Sequence, residues 1–341
     1  MREIGSFFEY PDAECFGASP AEHNFLKGAK LFASGRDIFA FLGRILGRRK
    51  MFVPDFFCPH TAIFISKYFD IIRYKDTPNG RPVLDGLCDG SVLLAVNTFG
   101  MYSAERYGAG SIGKDVILVE DHSHAPFSRY ATESNADYTI ASLRKVLPLG
   151  SGAYLKSNKT FAVSEMIGEC GIQDAVFFDA ARKKRIYLKT GDGDKSSILK
   201  LYAEVENIVE CNATVRSIGE ESKNLLFGLN IEKLQRSRAE NFFLFRDIVD
   251  AELLNGNISD INSVFNPVVL LDDVGSRNAL RSHLIEEKVY PPVHWNLDGV
   301  ENVSPESKNL SECVLTIPLD YRYSKYDVER VAKIINNFKK I

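Results

Sequence analysis

Short apolar runs separated by stretches of mixed polarity set the pattern of this chain. Met51-Phe52-Val53-Pro54, Ile71-Ile72-Arg73-Tyr74, Val92-Leu93-Leu94-Ala95-Val96, Val116-Ile117-Leu118-Val119 and Tyr138-Thr139-Ile140-Ala141 are too short for helices. Most are rich in β-branched or aromatic residues, as strands buried on both faces of a parallel sheet are. The stretches between them read as helices, the first over 35–46 with Ser34 as its N-cap. This alternation predicts an α/β fold around a mostly parallel central sheet. Pro148-Leu149-Gly150-Ser151-Gly152 suits neither helix nor strand. Beyond it a long helical region is expected, with helices over 173–187, 195–212 and 230 to about 254. From about residue 259 the texture changes to a strand at Val268-Val269-Leu270-Leu271, a helix over 276–288 and a last helix over 324–339. The expected division is an N-terminal arm (1–25) whose Phe7, Phe8 and Tyr10 pack against something, a large domain (26–245) and a smaller C-terminal α/β domain (246–341).

Composition adds mainly exclusions. The 341 residues are 45% hydrophobic and 26% charged, enough for a large core, and the net charge of −3 points to neither nucleic acid nor a membrane as partner. Two basic runs, Arg48-Arg49-Lys50 and Arg182-Lys183-Lys184-Arg185, read as basic helix ends. The six cysteines show no CxxC spacing, so reduced thiols, no zinc site and a cytoplasmic location are expected. The first residues lack the apolar core of a signal peptide, and no apolar run approaches membrane-spanning length.

The candidate chemistry lies between residues 114 and 155. The strand at 116–119 runs into Glu120-Asp121, and open α/β sheets place ligand-contacting groups at the carboxyl ends of their strands. The next strand leads to Ser142-Leu143-Arg144-Lys145, 24 residues beyond Asp121 (145 − 121). Pyridoxal phosphate (PLP) needs such a pair: a lysine amine for its aldehyde and a carboxylate for its ring nitrogen. Ser34-Gly35-Arg36 opens a helix, and free N–H groups at a helix start form a phosphate site; a plain capped helix is the alternative.

The stretch resembles the fold-type I PLP enzymes, and within them the DegT/StrS sugar-aminotransferase family in a short, divergent form. Glu120-Asp121-His122-Ser123-His124-Ala125 is similar to the family's Glu-Asp-Ala-Ala-Gln-Ala, and Ala95-Val96-Asn97-Thr98-Phe99-Gly100 to its strand ending in Tyr-Gly or Phe-Gly. The resemblance covers the chain from about Gly35 onward. It implies that Lys145 is the Schiff-base lysine and proton shuttle and that Asp121 pairs with the pyridine nitrogen. It implies that Ser34, Gly35, Arg36 and Ser142 hold the phosphate, and that His124 stands where the family's Gln meets the phenolic oxygen. One of His122 and His124 is expected to be structural. The family's ring-stacking aromatic aligns with Cys58, with Phe57 and His60 as neighbouring alternatives. Asn230 is a candidate for the Asn that reaches a neighbouring subunit's phosphate. Pro291-Pro292-Val293-His294-Trp295 is similar to a segment on the substrate side, and Arg322 either meets the amino donor's carboxylate or caps the last helix.

The function this implies is a PLP-dependent aminotransferase of polysaccharide biosynthesis, a homodimer acting on a keto sugar, nucleotide-linked, with an amino-acid donor. The alternatives are a non-transaminating PLP enzyme and a protein that keeps the fold for binding or regulation. Dehydratases of the family carry histidine in place of the lysine, which disfavours that version. No metal is expected.

Overall fold

The computed structural model describes residues 2–107, 112–158, 167–168, 170–211, 214–254 and 260–338. Its strands are β1 (Ile4–Gly5), β2 (Lys30–Phe32), β3 (Lys50–Pro54), β4 (Asp70–Tyr74), β5 (Val92–Val96), β6 (Ile117–Asp121), β7 (Tyr138–Ser142), β8 (Ala153–Ser157), β9 (Ile167–Gly168), β10 (Val215–Arg216), β11 (Val268–Leu270), β12 (Val289–Tyr290) and β13 (Val314–Thr316). Seven form one sheet in the order β2-β8-β7-β6-β5-β3-β4. Only β8 runs against the others, pairing antiparallel with β7 and β2. Every residue of β5 is buried, as its unbroken apolar run requires, whereas β4 at the sheet edge is only partly covered.

The helices are α1 (Gly35–Leu46), α2 (Pro59–Ile65), α3 (Arg129–Thr132), α4 (Gly171–Thr190), α5 (Lys195–Cys211), α6 (Glu220–Gly228), α7 (Ile231–Ile248), α8 (Val274–Glu286), α9 (Pro305–Cys313) and α10 (Lys325–Phe338). Helix α1 starts where expected: the Ser34 hydroxyl accepts from the Asp37 N–H, and Ile38, Phe39, Phe41 and Leu42 are buried. Beyond α7, the β11–β13 antiparallel pair, α8 and α10 gather their own core around Leu284, Leu315, Val328 and Val331. Ile4 joins it, because β1 pairs with β12.

Three expectations are corrected. The region after Gly152 begins with strand β8 rather than helix. The helix expected from 230 to about 254 stops at Ile248, and α6 precedes it. The run Arg182–Arg185 is not a helix end. It lies within α4, where Lys184 donates to the Phe7 carbonyl and Arg185 to the Pro11 carbonyl (2.8 Å), pinning the N-terminal arm.

Candidate active site

Strands β6 and β7 end side by side, and their ends are locked together by side chains. Asp121, the last residue of β6, accepts from the Ser123 N–H (2.8 Å) and hydroxyl (2.5 Å) with Oδ1. The same Ser123 hydroxyl accepts from the N–H of Ser142, the last residue of β7 (2.9 Å). Among the described residues Asp121 Oδ2 and the Ser142 hydroxyl make no hydrogen bond. Lys145 closes a one-turn 3₁₀ segment after β7. The Gly152 N–H beyond it donates to the Ala33 carbonyl (2.7 Å), which ties the lysine loop to the start of α1.

These parts surround one pocket of about 680 Å³, lined by Ser34, Gly35, Arg36, Cys58, Asp121, Ser142 and Lys145. The Gly35 and Arg36 N–H groups at the start of α1 have no partner among the described residues, as helix starts leave them. A Cβ built on Gly35 meets only the Ser142 Cβ, at 3.8 Å, so the backbone borders open space. The Asp37 carboxylate nearby is offset by Arg216, whose N–H and Nε donate to it at 3.0 and 3.2 Å. This is the composition of a phosphate cradle.

Of the two histidines after the acidic strand end, His122 is the structural one. It is fully buried between Glu120 (3.2 Å) and Asn97 (3.4 Å). His124 does not line the pocket; it stands behind Lys145, its Nε2 3.3 Å from Nζ. Its Nδ1 accepts from the Phe99 N–H (3.0 Å), so the single proton of the neutral ring sits on Nε2. Phe99 has φ 56°, and that left-handed turn aims its N–H at the ring. Burial, and then Lys145, hold His124 well below the ordinary histidine range, and the same causes lower His294 to about 3. Nε2–H therefore faces the lysine amine. Phe99, Phe265 and Trp295 stack nearly parallel to the His124 ring.

Cys58 lines the pocket beside Phe57 and Thr61, whereas His60 is exposed and faces Glu210 at 3.8 Å. Asn230 caps α7, accepting from the Lys233 N–H (3.0 Å), and does not line the pocket. Arg322 neither caps α10 nor is free for a donor carboxylate. Its guanidinium is spent on Asp320 (2.8 Å), Glu9 (3.0 Å) and the Phe7 carbonyl (3.0 Å). It thereby straps Ser6, Phe7 and Phe8 into the pocket wall, with Phe7 stacked on Tyr202 at 4.4 Å. Arg144 likewise pairs with Glu206 (2.6 Å). Ser123, Arg281 and Asn266 escaped the sequence reading. Ser123 was findable from its place inside the acidic motif; the other two carry no motif.

The fold, a mostly parallel sheet with a smaller C-terminal α/β unit, is that of the fold-type I PLP-dependent enzymes. No protein-family model matches the chain, and no curated protein does. Solved structures do. Helicobacter pylori PseC, an aminotransferase involved in the biosynthesis of pseudoaminic acid, is 14% identical over 100% of both chains, with a TM-score of 0.65. The aminotransferase TlmJ of Streptoalloteichus hindustanus is 15% identical over 99% of both chains, again at 0.65. The PLP form of Streptococcus pneumoniae Spr1654 is 12% identical over 99% of both chains, also at 0.65. The likeness is one of fold. Among the described residues no helix is long and apolar enough to cross a membrane, and no group of His, Cys, Asp or Glu gathers to hold a metal ion.

Proposed function

We propose that the chain is a PLP-dependent aminotransferase that moves an amino group from an amino acid to a nucleotide-linked keto sugar. The observation that carries this reading is the meeting of Lys145, Asp121 and an open helix start in one pocket. The groups fit the cofactor: the Gly35 and Arg36 N–H groups and the Ser142 hydroxyl would bind its phosphate, and Asp121 Oδ2 would hold the ring-nitrogen proton. When bound, PLP supplies the electron sink for the bonds at the donor's α-carbon. Lys145 Nζ holds and returns the proton of that carbon. His124 orients Nζ through Nε2–H. Phe57, Phe265 and Trp295 line the pocket and exclude water. Cys58 offers no aromatic face, which leaves Phe57 as the aromatic of that segment at the pocket.

On the resemblance to the family we also propose a homodimer, a cytoplasmic location, a role in polysaccharide biosynthesis and a domain division near residue 246. The test is spectroscopic. Protein purified with PLP should be yellow, and borohydride should fix the cofactor on the peptide containing Lys145. A screen of amino acids should convert the holoprotein to its pyridoxamine form. Label on another lysine, or no cofactor at saturating PLP, overturns the reading.

A further inference from the structure

Five cationic side chains line the pocket: Arg36, Arg144, Lys145, Arg281 and Arg322. Four are accounted for, three of them by carboxylates. Arg36 pairs with Glu210 at 3.3 Å, Arg144 with Glu206 at 2.6 Å, and Arg322 with Asp320 at 2.8 Å and Glu9 at 3.0 Å. Lys145 is committed as the reacting amine of the proposed function, its Nζ 3.3 Å from His124 Nε2. Arg281, on α8, is different. Its Nε donates to the Pro291 carbonyl at 3.4 Å, and among the described residues neither terminal nitrogen has a partner and no carboxylate pairs with it. Ile285, one turn further on, lines the same pocket, so this face of α8 is turned toward it.

A second uncommitted group stands on the same wall. Asn266 lines the pocket, and its Oδ1 is buried without a hydrogen-bond partner. Its position is fixed. It precedes β11, whose Val268 faces Thr316 of β13, and Thr316 bonds the His294 ring at 2.9 Å. A fixed amide oxygen left unpaired beside a substrate pocket costs free energy that a bound N–H or O–H donor recovers.

We propose that Arg281 forms the substrate oxyanion subsite of this pocket, and that Asn266 Oδ1 accepts from an N–H or O–H group of the same substrate. The subsite would take either the carboxylate of the amino donor or a phosphate of the sugar nucleotide. A guanidinium presents paired N–H donors that match either group, and among the described residues no other guanidinium on the pocket wall is left unpaired. The assignment rests on the aminotransferase reading given above and replaces Arg322 in the role of anion receptor.

The test uses the full-length holoprotein, its R281A, R281K and N266A variants, and two probes. The donor arm follows conversion to the pyridoxamine form with the amino acid most effective in the screen. The phosphate arm measures binding of UDP and inorganic pyrophosphate by calorimetry. If the subsite takes the carboxylate, R281A raises the half-saturating amino-acid concentration about 10- to 100-fold while the limiting conversion rate stays near the parent's. If it takes phosphate, the same loss is seen for UDP and pyrophosphate instead. In both cases R281K restores part of the loss, added salt weakens the parent more than R281A, and N266A shows a smaller shift with the amino acid or UDP, which carry N–H or O–H donors, and none with pyrophosphate. Borohydride labelling of Lys145 in R281A keeps the two readings apart. Intact labelling with neither arm altered overturns this inference alone, whereas absence of label from the parent overturns the aminotransferase reading.

Discussion

Valine at Gly35 separates a phosphate cradle from an ordinary helix start. A Cβ at this position meets only the Ser142 Cβ at 3.8 Å, an ordinary van der Waals contact, so the fold has room for it. The apoprotein should therefore change by less than about 1 kcal/mol in a urea titration. The added methyl groups occupy the approach to the Gly35 and Arg36 N–H groups. Loss of one charge-assisted hydrogen bond to phosphate is about 1.5–3 kcal/mol, so PLP affinity should fall roughly 10- to 150-fold. At a PLP concentration 100 times the parent's Kd, the cofactor stabilises the parent by about 2.7 kcal/mol; a 100-fold weaker variant keeps only about 0.4. Thermal melts with and without PLP should thus coincide for the apo forms and diverge for the holo forms. Gly100→Ala is the control for a packing clash: its Cβ would run into the Ser263 carbonyl at φ +74°, and it should lower the melt of apo and holo protein alike. PLP binding by Gly35→Val at the parent's affinity would refute the cradle, as would an apo melt lowered as far as the holo melt.

The remaining predictions concern the arm and the histidines. Burial works against the charges of Glu9 and Asp320, but Arg322 outweighs it, aided by Lys184 at Glu9, and both carboxyls sit below the usual carboxylate range. Their stabilisation is complete above the unfolded value near pH 4 and is lost as pH falls through their depressed folded values. Arg322→Ala should cost about 3–5 kcal/mol at pH 7, and less at pH 4 where the abandoned carboxyls take up protons; equal urea-derived deficits at the two pH values would count against the strap. His124 and His294 should stay neutral, so their NMR ring signals should not move between pH 5 and 8. His124→Leu should lose about 1–3 kcal/mol by stranding the Phe99 N–H, and a variant as stable as the parent would remove that bond from the account.

The elements that carry the pocket were legible where local pattern and tertiary demand agree. The buried runs ending in Asp121 and Ser142 became strands because they lie inside the sheet, and Ser34 capped α1 because the cap is a local interaction. Strand β8 was missed because Ala153-Tyr154-Leu155-Lys156-Ser157 is short and acquires its meaning only from β7 and β2. The long helix was drawn past Ile248 because apolar residues continue at Val249, Leu253 and Leu254, while the backbone of Val249 is extended. Among the site residues, Lys145 and Asp121 announced themselves by chemistry at strand ends. What His124 faces depends on the backbone turn at Phe99, 25 residues earlier, and Arg281 matters because no carboxylate among the described residues pairs with it. Neither relation is written in a local pattern.

The pairing of β1 with β12 sets the order in which the pocket can be assembled. Ile4 and Val289 lie 285 residues apart (289 − 4), and the arm that follows β1 supplies Ser6, Phe7 and Phe8 to the pocket wall. During synthesis these residues emerge long before the strand they dock on. The central sheet, with Asp121 and Lys145 in place, can form while the arm is still loose. The entropic cost of so wide a closure grows only slowly with length, about 0.6 kcal/mol per doubling, so delay rather than weakness is the result. The chemical groups are thus set before the chamber around them closes, and one wall stays open to solvent until the C-terminal strands have left the ribosome.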